Sequence, residues 1–252
     1  TVISRFVECG YLVIYTHRHS NDYPFIKHCY RTLKVPGSLV KKIIVTGTPL
    51  MLNEFLWAGG LTLQTQALST KGLATVGGLN ICNTIGNISN CIFVTMGTTI
   101  AIVVGQLLGA GKLKEAKVTA TRMAAFSLLI SFGMIIILGL LGPVFPHFYN
   151  TTDEIRELAT KFIWAVAAAT PFISLSNSEY FILRRGGKTI ITFLFDSCFV
   201  CLVNVPVAIC LTKFTAIHIV GIFFLVNMLE GIKALIGFIM VKKDIWLNTI
   251  VD

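Results

Sequence analysis

The chain has 252 residues, of which 54% are hydrophobic and 13% charged, with a net charge of +9 and a mean hydropathy of +0.77. These values exclude an ordinary soluble domain. They also exclude reading the positive charge as a nucleic-acid footprint, because the basic residues fall almost wholly between long apolar runs.

The chain opens on a short apolar run, Val2–Tyr15, carrying Arg5 and Glu8 at the i, i+3 spacing of a helical pair. Basic residues follow this run, the reverse of a signal peptide, so residues 1–16 read as the cytoplasmic end of a helix that begins upstream. A mixed interfacial linker follows over residues 21–38, with Asp22, Pro24, Pro36 and Gly37. The expected organisation is therefore residues 1–38 as helix end and linker, then residues 39–252 as a six-helix transmembrane lobe. Its spans are Ile43–Leu68, Leu73–Leu108, Val118–Leu141, Ile155–Leu183, Thr189–Leu211 and Ile217–Val241. Each exceeds the roughly 20 residues that cross a hydrocarbon core as a helix, and none alternates with the period-two pattern of a barrel. The fold expected is an all-α polytopic membrane bundle.

Loop charge orients it. Lys112, Lys114 and Lys117 lie between the second and third spans, Arg184, Arg185 and Lys188 between the fourth and fifth, and Lys242 and Lys243 after the sixth. The opposite loops hold Lys71, then Arg156 and Lys161 among Asp153, Glu154 and Glu157, then Lys213. The positive-inside rule puts both ends in the cytoplasm, and the lipid bilayer is the first partner.

Enzyme chemistry has no visible residues. Cys198 and Cys201 have CxxC spacing without a second pair, and His17, His19, His28, His147 and His218 lie in loops or at span ends. No metal site or cofactor is expected.

The informative residues are ionisable groups inside spans, which are costly in lipid unless they meet a partner or a cavity. Glu54 lies mid-span beside Asn53, with no basic residue within two turns along its own helix and Pro49 a little over one turn earlier. Pro49 frees a backbone carbonyl nearby, so the carboxylate is a candidate for binding sodium or a proton. Glu230 and Lys233 form a candidate structural ion pair at i, i+3. Asp196 lies deep enough to reach Lys233 or an Asn of another helix, a candidate equally for helix pairing and for cation coupling, and Glu179 near enough to Arg184 to meet the cytoplasmic interface. Asn80, Asn83, Asn87 and Asn90 recur at spacings of three and four, a stripe of amides on one helical face that suits a water-lined wall. Pro49, Pro171 and Pro206 are expected kinks, and Gly105–Gly109 is a GxxxG packing motif on a helix further thinned by Gly77, Gly78, Gly86 and Gly97.

Four stretches in order carry a family resemblance. Gly105-Gln106-Leu107-Leu108-Gly109-Ala110-Gly111-Lys112, running on to Glu115 and Ala116, resembles the loop motif of multidrug and toxic compound extrusion (MATE) transporters. Pro49–Trp57, Leu183–Thr189, and Asp196 followed by Pro206 match in sequence order. The resemblance implies the C-terminal six-helix half of a twelve-helix transporter, whose N-terminal half is a further partner. Two lobes there enclose a cleft, and sodium or proton entry drives efflux of small organic, often cationic compounds across the cell membrane. It places Glu54 on the seventh-helix glutamate implicated in coupling and substrate binding. Two family acids do not appear: the tenth-helix aspartate of one branch, whose place falls near Ile173 and Ser174, and an eighth-helix glutamate, replaced by the Asn stripe. The coupling ion is therefore open between sodium and protons. The alternatives are a lipid-linked saccharide flippase of the same superfamily, which would want a cationic cavity, and a non-transporting membrane scaffold.

Overall fold

A computed structural model describes residues 2–21, 23, 26, 35–186 and 189–247, without the side chains of Lys42, Thr46 and Thr189. The linker expected over residues 21–38 lies mostly outside these residues, as do Gly187 and Lys188. All regular structure described is helical: α1 (Val2–Arg18), α2 (Gly37–Ser69), α3 (Leu73–Gly109), α4 (Leu113–Val144), α5 (Asp153–Arg185), α6 (Thr189–Phe193), α7 (Val205–Phe214) and α8 (Ile219–Lys242). Two π-helical stretches, Leu194–Cys198 and Val200–Asn204, lie between α6 and α7.

Among the described residues, five stretches are long and apolar enough to cross a membrane: α3, α4 extended to Phe148, α5, Ile190–Phe214 and α8. The run expected over Ile43–Leu68 lies in α2, which at 33 residues rises about 50 Å. Lys41, Asn53, Glu54, Gln64 and Gln66 dilute its apolarity, and it is not among the five.

The chain divides into two units, Thr1–Thr48 and Pro49–Asp252. In the first, α1 buries no residue, and its Arg5–Glu8 pair is exposed at 2.7 Å. In the second, α5 is the central element, packing most extensively against α3, α8 and α4. Its termini suit the helix dipole, with Asp153 and Glu154 in the first turn and Arg184 and Arg185 in the last. One apolar cluster gathers Phe162 and Ile163 of α5 with Leu79, Leu138 and Phe223; the Phe162 and Phe223 rings meet at a tilt of 52° with centroids 4.8 Å apart. The second joins Leu108, Ala116, Leu183 and Trp246 at the end where the basic loops meet. There Lys117 Nζ lies 2.6 Å from Asp244. The turn from α3 to α4 needs Gly111, whose φ is +73°; it lets Lys112 N–H reach Leu107 O at 3.0 Å and close the helix end.

Small residues set the approach of α3 to α5, though not those of the GxxxG motif. A side chain at Gly109 would meet open space, and one at Gly105 only the Arg185 stem. Gly77 and Gly78 instead seat Ile155, Leu158 and Phe162, and Gly97 lies directly under the Phe181 ring. Apolar surface gains little by leaving lipid for another helix, so this close contact is what holds the pair together. Gly97→Leu is expected to destabilise the protein by about 1–3 kcal/mol through overpacking, whereas Gly133→Ala, which meets nothing within 4 Å, should show no loss. Thermal unfolding in detergent micelles compares the two.

Candidate functional site

The break between α6 and α7 positions the polar centre of the bundle. Pro206 opens α7 and has no N–H for the carbonyl one turn back, and the π-helical turns before it carry Asp196, Ser197 and Asn204 inward, all three buried. Lys233 of α8 meets Asp196 with Nζ 2.7 Å from Oδ1, and Glu230 Oε2 is further off at 3.8 Å. Glu230 is steadied by Ser176 of α5, whose hydroxyl donates to Oε2 at 3.0 Å.

Asn53 of α2 completes this centre. Its two amide hydrogens point to Tyr180 Oη at 3.3 Å and Asp196 Oδ2 at 3.4 Å. The Ser197 hydroxyl lies 2.6 Å from its backbone oxygen and 2.7 Å from Oδ1, one hydrogen shared between two acceptors. The side chain is thereby fully used, clipping α2 to α5 and the π stretch.

Glu54, the next residue, is open, with its side chain 60% exposed. Arg184 of α5 approaches at 3.5 Å, itself 33% exposed, and lies closer to Tyr180 Oη at 3.0 Å. A long, solvent-exposed contact of this kind contributes about 0–1 kcal/mol, so it leaves the carboxylate available.

These groups surround a cavity of about 580 Å³ in the second unit. Glu54, Asp196 and Glu230 supply three carboxylates, Arg184 and Lys233 two cations, and Trp57, Tyr180 and Phe181 aromatic faces. A neighbouring cavity of about 770 Å³ is lined by uncharged polar groups, among them Asn83 and Asn87, and shares Leu61, Gln64 and Asn227 with the first. One chamber is charged and its neighbour is not.

The MatE family model matches residues 49–210, more than half of the sequence. The chain belongs to the MatE family. Several solved structures resemble this MatE chain, among them three with TM-scores of 0.74 or more. They are a MOP superfamily transporter from Pyrococcus furiosus Vc1 (DSM3638), described as having a binding pocket of reverse polarity (16% identity, TM-score 0.74); a MATE in complex with MaL6 (12%, 0.76); and an outward-facing multidrug resistance MATE family transporter of the MOP superfamily (18%, 0.74). They cover 84%, 85% and 82% of this chain, which spans about half of theirs, at 47%, 49% and 46%. At such identities the likeness establishes the fold. No curated protein matches the sequence.

Set against the sequence-derived candidates, the structure brings Glu54, Asn90, Asp196, Glu230 and Lys233 to one cavity and Asn83 and Asn87 to its neighbour. Asn80 is exposed and lines neither, and Asn53 is spent on the clip. Lys233 has Asp196 as its near partner rather than Glu230. Glu179 does not meet the interface: it is 2% exposed, with neither carboxylate oxygen hydrogen-bonded among the described residues and Gly237 leaving it room. Pro49 and Pro171 lie inside α2 and α5. Sequence reasoning missed Arg184, Tyr180, Ser176, Asn177, Asn204 and Asn227. The in-span amides carried a signal, since lipid penalises them as it does charges; Arg184 was masked by its place in a basic loop.

Removing one partner of the buried pair strands the other. Lys233→Met is expected to lower stability by about 3–5 kcal/mol, and adding Asp196→Asn should recover part of that loss. Denaturant unfolding of the single and double variants provides the measurement; a double variant less stable than either single one would contradict the pairing.

Proposed function

We propose that this MatE-family chain is the C-terminal six-helix half of a transporter that exports small organic cations in exchange for sodium or protons. Its N-terminal six-helix half would complete the cleft, and both ends would lie in the cytoplasm at the cell membrane. The observation that carries the reading is the cavity itself: three carboxylates against two cations, beside aromatic faces, among helices most of which are apolar enough to cross a membrane. The clustering of Lys117, Asp244 and the Gly186–Trp246 contact at one end supports a single basic, cytoplasmic face.

Glu54 is the residue we assign to exchange. It is the least enclosed of the three carboxylates, and an organic cation, a proton or sodium would compete for the same charge. Export follows if the ion prefers the outward-open state and the substrate the inward-open one. One charge crossing 100 mV supplies about 2.3 kcal/mol, enough to sustain a gradient of roughly fiftyfold per coupled ion.

A second reading, a lipid-linked saccharide flippase, gains support from Arg184 and Lys233, two cations that could meet a pyrophosphate. Lys233 is held by Asp196 at 2.7 Å, which leaves the acidic reading stronger.

The test uses the whole transporter in proteoliposomes with an imposed ion gradient. Glu54→Gln is expected to reduce ethidium export at least tenfold and to flatten its pH or sodium dependence. Wild-type export with unchanged ion dependence would remove the proposal, and translocation of a pyrophosphate-linked lipid in place of ethidium would favour the second reading.

A further inference from the structure

Three helices pass from the charged chamber to the uncharged one in the same direction. α2 carries Glu54 and Trp57 on the first and Thr62 and Thr65 on the second. α3 carries Asn90, then Asn87 and Asn83, and α8 carries Glu230, then Phe223. All three run toward the end of the bundle where Lys71 Nζ meets Thr215 O at 3.4 Å. Leu61, Gln64 and Asn227 line both chambers, which therefore abut. Asn90 and Asn83 are seven residues apart, as are Glu230 and Phe223, a separation of about 10 Å along the helix axes.

The second chamber has no ionisable residue on its described lining. Asn83, Asn87 and Gln66 make no side-chain hydrogen bond among the described residues. Asn83 and Asn87 stand one turn apart on one face of α3, a helix apolar enough to cross a membrane. A side-chain amide presents donors and an acceptor side by side, so it can pair with another amide whichever end faces inward.

A ligand spanning both chambers meets two different demands. Its charged head is answered by Glu54 and Glu230 and by the aromatic faces of Trp57 and Tyr180. Its far end displaces water from the free amides. A hydrocarbon arm leaves them unpaired at a cost, whereas a carboxamide arm replaces the bonds that water made. A second full charge would find no counter-ion there and would lose its hydration.

We infer that the paired chambers select monovalent cations carrying an uncharged, carboxamide-bearing arm of about 10 Å, with the head among the carboxylates and the arm along the α3 amides. This rests on the export proposal and specifies its substrate class.

Isothermal titration of the purified full-length transporter compares two probes with the same trimethylammonium head and arms of equal length: trimethylammonioacetyl-glycyl-glycinamide and nonyltrimethylammonium. The nonyl chain also enters detergent, so the quantity read is the ratio of the two affinities in each variant against wild type. Asn83→Leu and Asn87→Leu should each shift that ratio about fivefold against the amide probe, the worth of one neutral hydrogen bond. Asn83→Gln and Asn87→Gln keep an amide and should hold the wild-type ratio within twofold, which provides the measurement if a Leu variant does not fold. Glu54→Gln acts on the shared head and should weaken both probes by the same factor. An unchanged ratio in the Leu variants, a shift in the Gln variants as large as fivefold, or an amide probe that does not bind while ethidium is still exported would overturn the two-chamber assignment and leave the export proposal standing. If ethidium is not exported either, both fall.

Discussion

A lysine ammonium and an aspartate carboxylate, each almost sealed from solvent, sit 2.7 Å apart inside a membrane bundle, with side chains 6% and 12% exposed. The interior would reject either charge alone, so each requires the other, and the helices that carry them have to stay in register. Asp196 reaches its place because the backbone between α6 and α7 is π-helical, and it is reached in turn by Asn53 of α2 and neighboured by Tyr180 of α5. Four helical segments therefore converge on one charge pair. The apolar clusters at either end of α5 supply packing, but they give no comparable reason for one register over another, since leucine against leucine differs little from leucine against lipid.

The cavity follows from this arrangement. With Lys233 committed to Asp196, two carboxylates and one cation remain to define its free electrostatics, and Glu54 is the most open of them. Arg184 does not lock that carboxylate. Its guanidinium is nearer to Tyr180 than to Glu54 and partly solvated, so a competing cation would displace a contact of small value. Tight and loose pairs divide the work: one fixes the helices, and the other leaves a charge free to be answered by something mobile.

The helices are legible in the sequence because lipid demands about 20 apolar residues per crossing and the loops advertise themselves with charge. Their boundaries fall within a few residues of the apolar runs, as in Leu73–Gly109 and Ile219–Lys242. What the sequence conceals is sideways geometry. A π turn leaves no pattern in hydropathy, so the inward aim of Ser197 and Asn204 is invisible, although Pro206 marks the place. Helical spacing along one segment makes Glu230 the obvious partner of Lys233, and packing decides for Asp196, which depth alone offered as one option among others. Glu54 looks isolated on its own helix for the same reason: Arg184 is 130 positions away in sequence. Glycine spacing misleads likewise, since Gly105 and Gly109 fit a packing motif while Gly97, with no motif, takes the ring of Phe181.

Glu179 exposes the limit of reasoning by position alone. A turn and a half from Arg184, it invites the reading of a carboxylate reaching for the interface, yet it faces α8 and the Phe195 ring, where Gly237 makes room for it. Neither of its oxygens is hydrogen-bonded among the described residues, so its burial is costly. Lys233, one turn from Gly237, is the nearest source of compensation, and Asp196 already holds it. Asp196 meets the Lys233 ammonium at 2.7 Å, and Glu179 makes no hydrogen bond to it among the described residues. That difference in partners is why Asp196 lines the cavity as half of an ion pair while Glu179 stays packed at Gly237, outside its lining.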